Sequence, residues 1–277
     1  MMPIQHKEFI DAVHFEQFYE RYYVTGRLSN YIDYIWTTRF ETLWQDHPHG
    51  FTDKLYPNIG YTYLINLGTP YTMFIQNQPF PMKADGFLPR FHTIACKHSI
   101  GNQLLGIKFK VSPILLDKKV DFSEYKHAMF SLSYLMPANV VQAIKMATNF
   151  TTTVHIIESY FNSLIHQADN NIVTAVTQTI QYFESNVHAT IPIQTIANNL
   201  AITTKTLQRY FLIAVGIPPK QVYNTIRIRK ALQNYLTVND AFQPAAFGYY
   251  DYSHFYKHAC AFLQEDASCI FSKRKAK

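Results

Sequence analysis

The stretch from Ala197 to Phe211, ANNLAITTKTLQRYF, constrains the fold of this 277-residue chain more than any other. Ala197, Leu200 and Ile202 have the apolar spacing that closes one short helix, and Leu207 and Phe211 resume an i, i+4 stripe on a second. Thr203 falls between them, where its hydroxyl can accept from the free N–H groups that open the next helix. Ala197 is small enough for two helices to cross closely. With Leu207 and Phe211 turned inward, Thr204, Lys205, Thr206, Gln208 and Arg209 are left on or beside the outer face. These residue types hydrogen-bond phosphates and base edges. A plain amphipathic hairpin with a solvated charged face fits the same window, so the discrimination comes from the chain beyond Phe211.

Gly216-Ile217-Pro218-Pro219 ends the second helix with a residue tolerant of positive φ and restarts the chain with prolines suited to a first helical turn. A third helix then runs to about Leu236, with Val222, Ile226, Leu232, Tyr235 and Leu236 as a buried face and Arg227, Arg229 and Lys230 as charge. From Lys220 to Leu236 it spans roughly 25 Å, a rigid spacer. A weaker copy of the first unit comes next: Asp240 as a cap, Phe247-Gly248 as the turn, and Tyr252-Ser253-His254-Phe255-Tyr256-Lys257 as another exposed helical face.

On ANNLAITTKTLQRYF, GIPPK, RIRKAL and GYYDYSHFYK, the chain from about Asn170 to its C-terminus resembles the AraC/XylS DNA-binding domain. The resemblance implies two helix-turn-helix units on one linker helix, presenting recognition helices to successive major grooves about 34 Å apart. It places the base-reading residues of the first unit at Thr204, Lys205, Thr206, Gln208 and Arg209, and those of the second at Tyr252, Ser253, Tyr256 and Lys257, with His254 beside them. Thr203, Arg227, Arg229 and Lys230 are the expected phosphate contacts. Lys205 and Arg209 suit guanine edges and Gln208 suits adenine. The second unit departs from the family pattern: Gln243-Pro244 replaces an Ile-Ala pair, Ala259 replaces the second aromatic of an FxxxF pair, and Gln264 and Ala267 replace a Gly and a Pro. Either Cys260, Phe262 and Leu263 repack around the missing ring or the unit is loosely held.

The charge distribution agrees. From Leu200 onward eleven Lys and Arg face four Asp and Glu, a net +7, so the total of +6 leaves −1 for the first 199 residues. A basic balance confined to the C-terminal part suits a polyphosphate partner. The tail from Lys273 to Lys277 reads as a solvated end. Three cysteines, Cys96, Cys260 and Cys269, cannot all pair and lack metal spacing, which suits a reducing compartment. No stretch approaches the roughly 20 apolar residues of a membrane span, and MMPIQHKEFIDAVHF lacks the apolar run of a signal peptide. A cytoplasmic bacterial protein is expected.

The first half carries strand signals. Tyr61, Tyr63, Ile65 and Leu67 alternate with Thr62, Leu64 and Asn66, and Leu105, Ile107, Phe109 and Val111 alternate with Gly106, Lys108 and Lys110, which reads as a strand with one wet face. Helices are expected near Lys7 to Tyr22 and Ser29 to Trp36, and a helical pair from about Ala138 to His166 whose Ile156, Ile157, Tyr160, Phe161, Leu164 and Ile165 stripe packs on the sheet or on a second subunit. The fold class is α+β. Residues 1–167 form an effector-binding or dimerisation domain, a small antiparallel sheet or barrel at 50–112 and helices at 113–167, and residues 168–277 form the all-α DNA-binding domain. LSNYIDYIWTTRF, YPNIGYTYLINLG and LLGIKFK also resemble, less specifically, sensor domains attached to AraC-like regulators.

Tyr56, Tyr61, Tyr63, Tyr71, Phe74 and Phe91 suit a sheet core, with a ligand pocket as the alternative. His47 and His49, with His92 or His98, fit an exposed loop better than a metal site. No Gly-rich phosphate loop, nucleophile elbow or HExxH helix is present, so no enzyme, cofactor or metal is expected. The expected partners are double-stranded DNA, a small-molecule effector of unknown identity, a second copy of the chain as a homodimer, and RNA polymerase if the protein activates. The rival from another class is a regulator-derived protein-interaction or ligand-sensing module with weakened DNA binding.

Overall fold

A computed structural model describes residues 4–82, 84–165, 170–188, 192–238 and 241–264. The boundary at 167/168, the Asp240 cap, Ala267, Cys269 and the basic tail lie outside these residues. The N-terminal half is built from two sheets. Strands β1 (Gln5–Lys7), β4 (Phe51–Leu55), β9 (Ile94–His98), β6 (Tyr71–Ile75) and β7 (Gln78–Met82) form a five-stranded sheet in that order. Strands β11 (Phe130–Ser131), β8 (Gly86–Pro89), β5 (Tyr61–Asn66), β10 (Leu104–Phe109), β3 (Ile32–Thr38) and β2 (Tyr19–Tyr23) form a six-stranded one. Pairing is antiparallel except between β1 and β4, where His6 lies opposite Asp53.

The side-chain alternation of β5 and β10 separates two buried faces. Leu64, Leu88 and Leu104 meet Tyr71, Met73, Ile75 and Cys96 between the sheets. Tyr61, Tyr63, Ile65, Leu105, Ile107 and Phe109 turn the other way, under the helices. The wet face expected on β10 is therefore absent. β10 is paired on both sides, by β5 and β3, and a Cβ on Gly106 would run into the Trp36 ring at 2.0 Å. Lys108 is wholly buried. Its amine donates to the Ile59 and Phe109 carbonyls, and burial, partly offset by Asp33, lowers its pKa to about 7.

Strands also extend outside 50–112. Of the two early helices expected, only Ala12–Gln17 (α1) is α-helical; Gly26–Asn30 is a 3-10 turn, and Tyr19–Tyr23 and Ile32–Thr38 are strands. Ile32, Ile35 and Trp36 mimic helical spacing, but β-branched and aromatic residues flanked by two partner strands settle into the sheet. After α2 (Leu43–Asp46), the helices α3 (Ala138–Met146) and α4 (Phe150–Ile165) cover the six-stranded sheet. The α4 stripe packs on that sheet, with Phe161 5.1 Å from Phe109 and 6.5 Å from Tyr63 between ring centres. Tyr56, Tyr61, Tyr63, Tyr71 and Phe91 are buried core, and Phe74 is half-buried.

The helical half comprises α5 (Asn171–Ser185), α6 (Ile193–Asn199), α7 (Thr204–Val215), α8 (Pro219–Val238) and α9 (Tyr252–Leu263). Its two units have different cores. Val176, Ile180, Phe183, Ala197, Leu207, Phe211 and Val222 continue the core beneath the sheet. Ile228, Leu232, Tyr235, Phe242, Tyr249, Phe255 and Leu263 form a separate cluster, which Tyr56 of the N-terminal half completes. The sheet domain thus touches each unit independently.

Candidate nucleic-acid interface

The first unit is assembled locally. Asn170 opens α5 by accepting from the Ile172 and Val173 amides at 2.9 and 3.3 Å. Pro192 precedes α6, and the chain then turns through Ala201 in the left-handed region, φ 53°, with the Ile202 amide bonded back to the Ala197 carbonyl at 3.0 Å. Thr203 caps α7, its hydroxyl accepting from the Thr206 amide at 3.0 Å. The helix is thereby held by residues within one turn of the sequence. Ala197, Leu207 and Phe211 are 0% exposed. Lys205, Gln208 and Arg209 are exposed on the opposite side, while Thr206 is half-buried and Thr204 is tied to Gln194 Oε1 at 2.7 Å. Gly216 closes α7 at φ 87° with its amide on the Phe211 and Leu212 carbonyls.

The linker α8 has 20 residues, about 30 Å of helix. Leu236, expected inward, is exposed. The basic residues of α8 do not form one open stripe. Arg227 lies between the rings of Tyr223 and Tyr249, 5.6 and 4.7 Å from their centres. Lys230 is exposed and donates to the Glu184 carbonyl. Arg229 points into the sheet domain, where it donates to Glu8 Oε1 at 2.6 Å and to the Pro57 carbonyl at 2.9 Å and lies 4.9 Å over the Phe9 ring. Burial works against ionising Glu8, yet Arg229, then Arg90, holds it below the usual carboxylate range. Arg229 is thus placed at the domain contact rather than on an open phosphate-facing surface.

In the second unit Gly248 makes the turn at φ 66°, and Asp251 caps α9 by accepting from the His254 amide at 2.7 Å. Phe255, Ala259 and Leu263 are fully buried. The ring missing at Ala259 is compensated: Phe242 lies 4.6 Å from Phe255, Tyr249 5.3 Å and Tyr235 5.8 Å, with Cys260 and Phe262 packed around them. Gln264 comes directly after α9 at φ 55°, where glycine would sit without the steric cost, about 1 kcal/mol, that a side chain brings. Ser253, His254 and Lys257 are exposed. Tyr252 and Tyr256 are half-buried, and Tyr252 packs on Tyr235 and Phe242, so both belong partly to the core. Behind them Tyr249 bonds His258 at 2.8 Å, and burial, then Arg227 and His254, pushes His258 down to about 4.

Sequence reasoning missed two features. Tyr250, two residues before α9, is 92% exposed; its only signal was the GYYD run. The Glu8–Arg229 pair joins residues 221 apart and had none. His47 and His49 lie on the turn after α2, and among the described residues no three His, Cys, Asp or Glu side chains are placed to hold a metal ion. No helix among them is long and apolar enough to cross a membrane.

No family model and no curated protein matches the chain. Solved structures that it resembles include unsaturated fatty acid bound wild-type ToxT from Vibrio cholerae strain SCE256, at 10% identity and a TM-score of 0.48, covering 80% of this chain and 91% of that one. A second ToxT structure from Vibrio cholerae, at 1.65 Å resolution, gives 10% identity and 0.48 over 92% and 98%. The AraC-like transcriptional activator CuxR gives 11% and 0.29 over 80% and 89%.

Proposed function

We propose that the chain is a sequence-specific transcriptional regulator of the AraC/XylS type that binds double-stranded DNA and responds to an effector. The observation that carries this reading is α7: a side-chain-capped helix with Lys205, Gln208 and Arg209 in solvent over a core in which Leu207 and Phe211 are wholly buried. Three long polar side chains on one rigid face match the hydrogen-bonding edges of the major groove. Thr204 and Thr206 flank them and Thr203 adjoins the phosphates. Ser253, Lys257 and His254 form the corresponding face of the second unit, with Tyr252 and Tyr256 supporting it from behind. Lys230 and Arg227 remain the phosphate candidates of α8, and Arg229 is withdrawn from that set.

The effector is a small molecule of unassigned identity. Its candidate site is a cleft of about 400 Å³ between the domains, lined by Tyr23, Asp33, Tyr34, Ile226, Arg229 and Gln233 among others. Binding there touches α8 and the sheet at once, which suits a shift between pre-existing arrangements of the two units. A homodimer, contact with RNA polymerase in an activator, a cytoplasmic location and the absence of enzymatic activity complete the proposal.

Fluorescence anisotropy of full-length protein on a duplex of about 40 base pairs, titrated across salt, tests it. The reading requires affinity that falls steeply with salt, and a shallower slope for Lys205→Ala. Binding that is absent, or indifferent to salt, would favour the protein-interaction reading.

A further inference from the structure

Of the four ionisable side chains of segment 4–11, His6 and Glu8, two residues apart, serve different parts of the molecule. Glu8 holds the linker helix: its Oε1 accepts from Arg229, and its Oε2 accepts from the Tyr56 amide at 2.9 Å. Phe9 and Ile10 pack with Tyr56 against the core of the second helical unit. His6 turns into a buried polar cluster. Its ring stacks on His14 of α1, with centres 3.7 Å apart and planes 10° from parallel, and meets His47 and Phe51 edge-on.

Beneath the stack lies Asp53 of β4, fully buried. His14 Nε2 is 3.0 Å from its Oδ1, His98 Nε2 of β9 is 3.3 Å from its Oδ2, and the Tyr19 hydroxyl of β2 donates to it. Asp11, just before α1, accepts from the Lys7 amide at 2.7 Å. The titratable groups around His6 are therefore His14 and Asp11 on the α1 side, Asp53 below and His47 after α2, with His98 and Tyr19 one layer deeper. His6 Nε2 is buried and has no hydrogen-bond partner among the described residues. A proton added there finds no acceptor and faces a second imidazole.

The segment also lies at the rim of its sheet. β1 is a three-residue strand on the edge of its sheet, anchored at its ends by the Thr52 amide on the Ile4 carbonyl and the Glu8 amide on the Lys54 carbonyl, both 2.9 Å. Phe9 sits in the left-handed region at φ 70°, a strained setting for an aromatic residue.

We propose that segment 4–11 is an acid-released clasp: protonation of His6, stacked on His14, undocks it from β4 and thereby withdraws Glu8 from Arg229 of α8. Burial first, then His14, lowers the His6 pKa below its ordinary 6.5, against the opposing pull of Asp53 and Asp11. The docked form thus binds this proton less tightly than the released form. Docking is at full strength above about pH 6.5 and weakens as pH falls below it. Release loosens α8 and removes Phe9 and Ile10 from the second unit, whatever ligand the helical domain binds.

Amide hydrogen exchange of the full chain at about pH 7.5 and about pH 5.5, corrected for intrinsic exchange, tests the clasp through the Glu8, Thr52 and Tyr56 amides. In the unmodified protein their protection falls with acid, by up to about tenfold per pH unit, the limit for one proton taken up on release. In His6→Phe, which keeps the ring but cannot titrate, it falls less than about twofold. His6→Gln supplies the same comparison if His6→Phe does not fold. Unchanged protection in the unmodified protein, or an equal fall in the folded variants, overturns the proposal.

Discussion

Arg229 separates two accounts of the linker helix, and Arg229→Met with Glu8→Gln decides between them. The guanidinium's two short bonds run to Glu8 at 2.6 Å and to the Pro57 carbonyl at 2.9 Å, with side chains 18% and 20% exposed on the Arg229 and Glu8 sides. Charge-assisted bonds contribute about 1.5–3 kcal/mol each, and partial exposure moves this pair to the lower end. Arg229→Met should destabilise by about 3 kcal/mol, because Pro57 loses its donor and Glu8 its main counter-charge. The coupling between the two substitutions should be about 1.5–2 kcal/mol, a factor of roughly 10–30. Urea unfolding followed by tryptophan fluorescence reads this in the sheet domain, which holds Trp36 and Trp44. Coupling below about 0.5 kcal/mol would refute the interdomain role. The same variant, in its folded population, should leave the salt slope of DNA binding unchanged; a phosphate contact would shift it by about one.

Two further outcomes rest on packing and charge. Gly216→Ala should destabilise by about 2 kcal/mol or more, since the residue sits at φ 87° and a Cβ would approach the Tyr61 hydroxyl at 2.8 Å, Phe91 at 3.1 Å and the Phe122 carbonyl at 3.2 Å; a melting temperature within error of the unmodified protein would contradict it. Asp53→Asn should cost about 3–5 kcal/mol near pH 6, because buried His98 loses the carboxylate that keeps it charged and His14 loses the same partner. For His98, burial works downward, but Cys96 and Asp53 raise its pKa to about 10, whereas bonds from His14 and His98 overcome burial and hold Asp53 below its ordinary 3.8. The pair's contribution is therefore full between about pH 4 and 6.5, lost below that window as Asp53 protonates and lost above it as pH rises toward 10. A urea midpoint measured against pH should flatten across both limits in the variant, and an unaltered profile would contradict the assignment.

The first helical unit was legible because everything that specifies it lies within about 20 residues. The spacing of Ala197, Leu207 and Phe211, the Thr203 cap and the Gly216 stop are local instructions, and the structure reproduces them. β3 was not, since Ile32, Ile35 and Trp36 carry a helical period that pairing with β10 and β2 overrides. Lys108 was read as wet because charge ordinarily marks solvent; its two carbonyl acceptors come from the chain's own folding around it. Likewise Arg229 looked like its neighbours Arg227 and Lys230 until Glu8 was brought to it from the far end of the chain. The repacking around Ala259 lay between these cases: Phe242 and Tyr249 are near in sequence, whereas Tyr56 is not.

Selection of bound duplexes from a random pool by full-length protein, repeated with Arg209→Ala, asks whether the α7 face reads DNA sequence. A face that does so yields an enriched motif that relaxes at one position or disappears in the variant. An identical motif from both proteins, or no enrichment from the unmodified chain under several salt conditions, would contradict it.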